Sequence, residues 1–271
     1  MHLLARAWGF LLSQFSSRSK HTTQKNLKSC FPEKTENEIV QLTKSSLTNT
    51  AATALEMGKM WLPPMEKTLK MVVASEGREE FVAAHEAGNG VILLAPHLGN
   101  WEIFAFYLCD DLESTWLYQP PKLPALDRLI TKTRSRGGLT MAPTNRAGVS
   151  KVLKTLKEGK LAGVLPDQVP PDEGGVYAPF FGEEAFTMTL VSKLVQKTDA
   201  KVFCGFANRL PSNQGYKVIV ESADESIYSH DIDESVAALN RTVQKSVNRA
   251  VEQYQWEYKR FRKQRDGSKF Y

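Results

Sequence analysis

The sequence predicts an α/β fold: a mainly parallel central sheet flanked by helices, with further helices before it and one after it. Three observations carry that expectation. Residues 91–95 (VILLA) and 161–165 (LAGVL) are short, wholly apolar runs, as strands buried on both faces are. Both runs stop at a proline followed by a polar residue, Pro96 then His97 and Pro166 then Asp167; proline cannot feed a ladder hydrogen bond. Around them, strand-like and helix-like stretches alternate on short turns, the pattern of a parallel sheet with crossover helices.

Residues 1–20 read as an amphipathic helix, with Leu4, Trp8, Leu11 and Phe15 on one face and Arg6, Ser13 and Arg18 away from it. Two readings stand side by side: a helix packed on the domain, and one lying in a membrane interface with its Trp at headgroup depth. Arg18, Lys20, Lys25 and Lys28 follow with no acid before Glu33, which suits anionic lipid. Residues 30–33 (CFPE) form a turn, Thr35 and Glu38 have capping-box spacing, and residues 39–60 are helical until Pro63–Pro64 stops them. A strand is expected over 70–74 and a helix over 77–87, ended by Gly-Asn-Gly before the central strand. Residues 101–108 resume as helix and 114–118 as strand.

Residues 123–136 are helical, with Leu126, Leu129 and Ile130 on one face and Arg128, Lys132, Arg134 and Arg136 assigned to the opposite one. A strand over 139–142, a helix over 146–158 and the strand at 161–165 follow. A polar loop over 169–175 leads to 176–182, where Phe180 and Phe181 suit either the core, which is the preferred reading, or an apolar ligand channel. Residues 187–196 are helical, 202–207 and 216–220 are strands, and 236–258 are the last helix. The expected division is a helical, membrane-proximal segment over 1–62, an α/β core over 63–233, and a C-terminal helix with a basic-aromatic tail over 234–271, working as one functional domain.

Composition limits the function classes. A chain of 271 residues that is 42% apolar and 24% charged can bury a sizeable core. Its net charge of +5 suits phosphates or anionic lipid only where the charge is clustered. Cys30, Cys109 and Cys204 are far apart and show no metal spacing, which argues against a disulfide scaffold and structural zinc and for a reducing compartment. The apolar stretch over 3–12 is about half a membrane span and contains Arg6, and no small-residue cleavage site follows it.

The candidate chemistry sits at His97. Ligands bind outside the carboxyl ends of strands in open α/β sheets, and Glu102, five residues on, falls in the first turn of the next helix. A His held by a carboxylate is a general base with one nitrogen oriented and the other free for a proton. With five His and 30 acids in the chain, that spacing alone is uninformative. The alternative is a His bonded to backbone and a Glu102 favoured only by the helix dipole. The chain contains no GxGxxG after a strand, no GxxxxGK[ST], no GxSxG and no HExxH. Metal-free acid/base chemistry remains, with Arg134, Arg136 and Asp167 as polar company and the substrate's own hydroxyl as nucleophile.

Residues 95–102 (APHLGNWE) resemble the HX4D/E signature of the lysophospholipid/lipid A acyltransferase superfamily. Four further blocks, in order, resemble its lipid A biosynthesis branch, the late lauroyl/myristoyl acyltransferases. They are Asn26-Leu27 with CFPE; Tyr118-Gln119-Pro120 with Arg134 and Gly137; LPDQ (165–168) with PFFG (179–182) and Thr187; and WEYKRF (256–261). The resemblance implies a glycerolipid-acyltransferase-like core. It implies transfer of a fatty acyl chain from acyl carrier protein to a hydroxyl of a phosphorylated lipid A precursor, at the cytoplasmic face of the inner membrane, with no cofactor and no nucleic acid. It makes His97 and Glu102 the catalytic dyad, puts Arg134 (or Arg136, two residues away) and Asp167 at the substrate, and adds Asn100 as a substrate contact. The family usually carries a membrane-spanning helix before CFPE, and this chain begins just after that point; Pro96 stands where well-known members often have Asn. Rival readings are an acyltransferase of the same superfamily acting on a lysophospholipid, ornithine-type lipid or other glycolipid, and a non-catalytic basic binding module for membrane or nucleic acid. The latter rests on the N-terminal charges and on Lys259, Arg260, Arg262, Lys263 and Arg265 among Trp256, Tyr258 and Phe261. Acyl carrier protein and coenzyme A are not distinguished as donors.

Overall fold

The computed structural model describes residues 18–271; most of the expected N-terminal helix, including its Leu4/Trp8/Leu11/Phe15 face, lies outside the described residues. The described chain opens with a helical hairpin, α1 (Arg18–Cys30) and α2 (Glu36–Trp61). The turn between them ends in the expected capping box: the Glu38 N–H donates to the Thr35 hydroxyl, and the Glu38 carboxylate accepts the Thr35 N–H. Two of α2's otherwise orphaned donors are thereby satisfied. Pro63–Pro64 ends that helix, and a short α3 (Met65–Leu69) leads into the sheet.

The sheet and its crossovers run β1 (Val72–Glu76), α4 (Arg78–Glu86), β2 (Val91–Leu94), α5 (Trp101–Leu108), β3 (Ser114–Tyr118), α6 (Pro124–Arg136), β4 (Leu139–Pro143), α7 (Arg146–Lys157) and β5 (Leu161–Val164). After an excursion come α8 (Leu190–Val195), β8 (Lys201–Arg209), β9 (Tyr216–Ser222) and α9 (Ile232–Asn248). The seven strands lie in the order β1-β9-β8-β2-β5-β3-β4. Only the β8–β9 pairing is antiparallel, so the expected mainly parallel sheet is present.

β2 is buried along its whole length between β8 and β5. Its alternate residues feed two different cores: Val91 and Leu93 join Phe81, Phe104 and Phe106 on one side, and Ile92 and Leu94 join Leu239, Val243 and Phe206 on the other. That two-sided burial is why the strand reads as a continuous apolar run. Gly163 of β5 is part of the same packing, since a Cβ there would lie 2.0 Å from the Trp116 ring of β3.

Two stretches differ from the sequence-based expectation. Residues 176–182, to which the sequence assigned no element, and the start of the helix expected from 187 form an antiparallel hairpin, β6 (Gly175–Phe180) and β7 (Glu183–Met188), and the helix after it is only Leu190–Val195. Its two-residue turn, Phe181–Gly182, has φ of 52° and 84°, which is the backbone a tight hairpin requires. Packing holds Phe181 in that strained region: its ring lies 5.1 Å from Phe31 and 5.7 Å from Trp256. The expected core position of Phe180 and Phe181 is observed.

The last helix ends at Asn248 rather than 258. Beyond it the chain crosses the domain in irregular form and buries Tyr254, Trp256 and Phe261. Arg260 is 3% exposed, donating to the Phe186 carbonyl and the Thr187 hydroxyl. The tail is therefore a packed strap and not the continuation of the last helix expected to 258. Helical periodicity lost here to tertiary burial. Cys30, Cys109 and Cys204 are buried and unpaired, and among the described residues no helix is long and apolar enough to cross a membrane.

Candidate active site

β2 and β5 pair in register, Leu94 opposite Val164. His97 and Asp167 each lie three residues beyond that pair, so both arrive at one point on the sheet's carboxyl rim. There the Asp167 carboxylate clamps His97 twice: Oδ2 accepts its backbone N–H at 2.8 Å and Oδ1 meets Nδ1 at 2.8 Å. An ionised carboxylate only accepts, so Nδ1 carries the proton and Nε2 presents its lone pair. Burial pushes the Asp167 carboxyl up, but attraction to His97 whenever the imidazole is protonated, with the bonds from its ring and backbone N–H, outweighs that and holds it below the usual carboxylate range. Tyr254 stands beside it: burial and then the Asp167 charge push its phenol well up, keeping it neutral.

The backbone around His97 is held from both sides. The His97 carbonyl accepts the Gln255 N–H at 3.0 Å, and the Gly99 N–H donates to the Gln253 carbonyl at 3.0 Å. Gly99 has φ of 60°, and a Cβ there would fall 2.2 Å from the Ala207 carbonyl oxygen. Only glycine lets the chain turn this close to β8. The C-terminal strap thus fixes the site, a role no sequence pattern suggested. The Trp101 ring closes one side of the imidazole in an edge contact, 5.1 Å between centroids. The Gln168 amide nitrogen lies 3.2 Å from Nε2, where an incoming hydroxyl would have to sit.

Glu102 does not hold His97, and the expected dyad contact is replaced. Its carboxylate is 3% exposed and engages Arg134 through Nε (3.2 Å) and Nη2, with the Trp61 indole N–H at 3.3 Å. The reason is positional: Asp167 arrives from the adjacent strand in register, whereas Glu102 is drawn to a guanidinium. Arg134 also departs from its assigned place opposite the apolar face of its helix. It lies four residues after Ile130, on the same inward stripe of α6, which carries Asp127 to the Tyr118 hydroxyl and Arg134 to Glu102. Arg136 is exposed and donates to the Trp61 carbonyl. Asn100 is fully buried and serves as the N-cap of α5: Oδ1 accepts the Ile103 N–H, and Nδ2 donates to Glu56. With both ends of its amide engaged, it belongs to the frame of the site.

Two features of that frame went unread in the sequence. Arg209, at the end of β8, donates to both oxygens of Glu56 at 2.7 Å and also to Asn49 and Thr53, clipping α2 to the sheet behind Asn100. Glu257 is held by the Thr50 hydroxyl at 3.1 Å, and burial raises its carboxyl above the usual range. Neither has a local signature, because each partner is more than 150 residues away. No cluster of His, Cys, Asp and Glu able to hold a metal ion is present among the described residues.

The rim therefore offers an oriented imidazole with a basic nitrogen, a buried carboxylate beneath it, and a guanidinium–carboxylate pair between α5 and α6. That is equipment for taking a proton from a hydroxyl and stabilising the resulting imidazolium. The family model described as bacterial lipid A biosynthesis acyltransferase matches residues 1–263. The lipid A biosynthesis lauroyltransferase of Escherichia coli is 26% identical over 260 residues, covering 96% of this chain and 84% of that protein. A lipid A biosynthesis acyltransferase of Haemophilus influenzae is 27% identical, covering 97% and 82%. The E. coli lipid A biosynthesis palmitoleoyltransferase is 24% identical, covering 94% and 82%.

Proposed function

Because this chain belongs to the bacterial lipid A biosynthesis acyltransferase family, and is thus an acyltransferase, we propose that it moves a fatty acyl chain from the thioester of acyl carrier protein to a hydroxyl of a phosphorylated lipid A precursor. His97 is the general base. The observation that supports this is the double clamp of Asp167 on His97, which leaves Nε2 unprotonated and facing the Gln168 amide.

In this reading the acceptor hydroxyl displaces the Gln168 amide from Nε2 and gives up its proton as its oxygen attacks the thioester carbonyl. The imidazolium so formed lies against the Asp167 carboxylate. Collapse of the tetrahedral species breaks the carbon–sulfur bond, and the proton returns from Nε2 to the departing thiolate. No acyl-enzyme is needed. Asp167 takes the orienting role that the spacing rule gave to Glu102. Glu102 acts one step back, holding Arg134 by Nε and Nη2; Nη1 takes no part in that pair and suits an acceptor phosphate, with Arg136 nearby on the same helix. The enzyme meets its acceptor at the cytoplasmic face of the inner membrane.

Mass spectrometry of lipid A from cells with and without the gene tests the reaction class, and the expected result is the loss of one acyl chain's mass. With purified enzyme, acyl carrier protein and coenzyme A thioesters are compared as donors. His97→Ala is expected to lower turnover by about 10²–10⁴-fold with the fold intact. Unchanged lipid A together with a fully active His97→Ala enzyme would remove both the substrate and the base.

A further inference from the structure

α6 is an amphipathic helix whose apolar side is only partly covered. Thr133 is its one fully buried residue. Leu126 and Leu129 are 37% and 42% exposed, and Leu123, which precedes the helix, is 66% exposed. These three are spaced by three residues and form one strip beside the inward stripe of Asp127, Ile130 and Arg134. Leu62, 74% exposed, extends the apolar surface at the other end, where Arg136 ties the end of α6 to the Trp61 carbonyl. Four of the six large apolar residues exposed among the described residues therefore sit on this one side of the molecule.

Charge accompanies them. Arg128 and Lys132 on α6, Lys122 just before it and Lys59 near the end of α2 are exposed. Asp127 is the only acid of α6, and it faces inward to the Tyr118 hydroxyl. Leucines edged by outward cations match a bilayer interface with anionic headgroups, in which apolar side chains enter the acyl boundary and cations stay at the phosphates.

We propose that the α6 face, Leu123, Leu126 and Leu129 with Lys122, Arg128 and Lys132, is the surface by which the enzyme lies on an anionic lipid bilayer. It deepens the lipid-acceptor reading and rests on it. The same helix supplies both contacts: its outer side meets the membrane while Arg134, on its inner side, reaches Glu102 in the site. Docking by α6 would bring the catalytic rim to headgroup depth, so the acceptor need not leave the bilayer fully.

The test is flotation of the full chain with vesicles of phosphatidylethanolamine and phosphatidylglycerol, at low and high salt, against pure phosphatidylcholine. Leu126→Glu/Leu129→Glu is expected to weaken binding about tenfold or more at either salt, since two leucines forfeit burial in the acyl boundary. Arg128→Gln/Lys132→Gln is expected to lose roughly fivefold per charge at low salt and little at high salt. Val40→Glu, at a position 48% exposed on α2, should bind as wild type. Thermal unfolding of each variant checks that it remains folded at the assay temperature. If the leucine variant floats like the wild type, or if it loses only binding to acyl carrier protein, the proposal is overturned. Flotation needs no turnover, so its failure is separate from failure of the acyl-transfer reading, which is followed on detergent-dispersed acceptor.

Discussion

Replacing Asp167 by Asn tests the centre of the mechanism with almost no change of volume. Both carboxylate oxygens are in use, one on the His97 backbone N–H and one on Nδ1. An amide keeps only one acceptor, so one of those two donors must meet an NH2 group. Leaving the buried backbone N–H unsatisfied costs about 1–3 kcal/mol, whereas the imidazole can simply move its proton to Nε2. The asparagine oxygen is therefore expected to stay with the backbone and its NH2 to donate to Nδ1. That tautomer has no lone pair at Nε2. The same exchange in a Ser-His-Asp triad lowers turnover about 10⁴-fold, near 5 kcal/mol on the barrier, and a similar loss is expected here. Single-turnover transfer on dispersed acceptor measures it, and ¹⁵N NMR of the imidazole reports the tautomer. Undiminished turnover in a folded Asp167→Asn enzyme, or an Nδ1–H tautomer retained in it, would refute the reasoning. Stability supplies a second readout. The Asp167 carboxyl is held below its ordinary range, so its contribution is present above about pH 4 and is lost as pH falls through the lower folded value. The stability gap between wild type and variant should be widest near neutrality and close in acid.

Glu102→Ala leaves the Arg134 guanidinium without its carboxylate, a loss of about 3 kcal/mol, at the low end for a buried pair because the Arg134 side chain is 20% exposed. Chemical denaturation should show that loss, and Glu102→Leu/Arg134→Met should recover much of the stability but none of the activity. Arg209→Ala breaks the clip to Glu56, whose side chains are only 10% and 13% exposed. The expected cost of about 3–5 kcal/mol corresponds to a fall in Tm of about 10 °C, while turnover at low temperature should change far less than in Asp167→Asn.

Much of the architecture was legible because it rests on local rules. The buried strands at 91–94 and 161–164, the capping box at Thr35 and Glu38, and the helix opened by Asn100 follow from apolar runs, caps and prolines. Even the meeting of His97 and Asp167 on one rim was visible, since two strands end in the same Pro-polar step. The choice of partner was not. Five residues separate His97 from Glu102, and seventy separate it from Asp167; the register of β2 on β5 decides for the distant one. Arg134 was misplaced because its charge was scored as outward, although its spacing from Ile130 puts it on the inward stripe, where a buried carboxylate on α5 draws it in. The hairpin at 175–188 and the strap after 248 were misread for a related cause: aromatic side chains from separate segments meet there, and their burial overrides the local period. The sequence alone determined the two buried strands that carry His97 and Asp167 to one rim. Only the tertiary structure decided which charge faces which, because a hydrogen bond depends on where two chain segments meet, and spacing along the chain does not encode that.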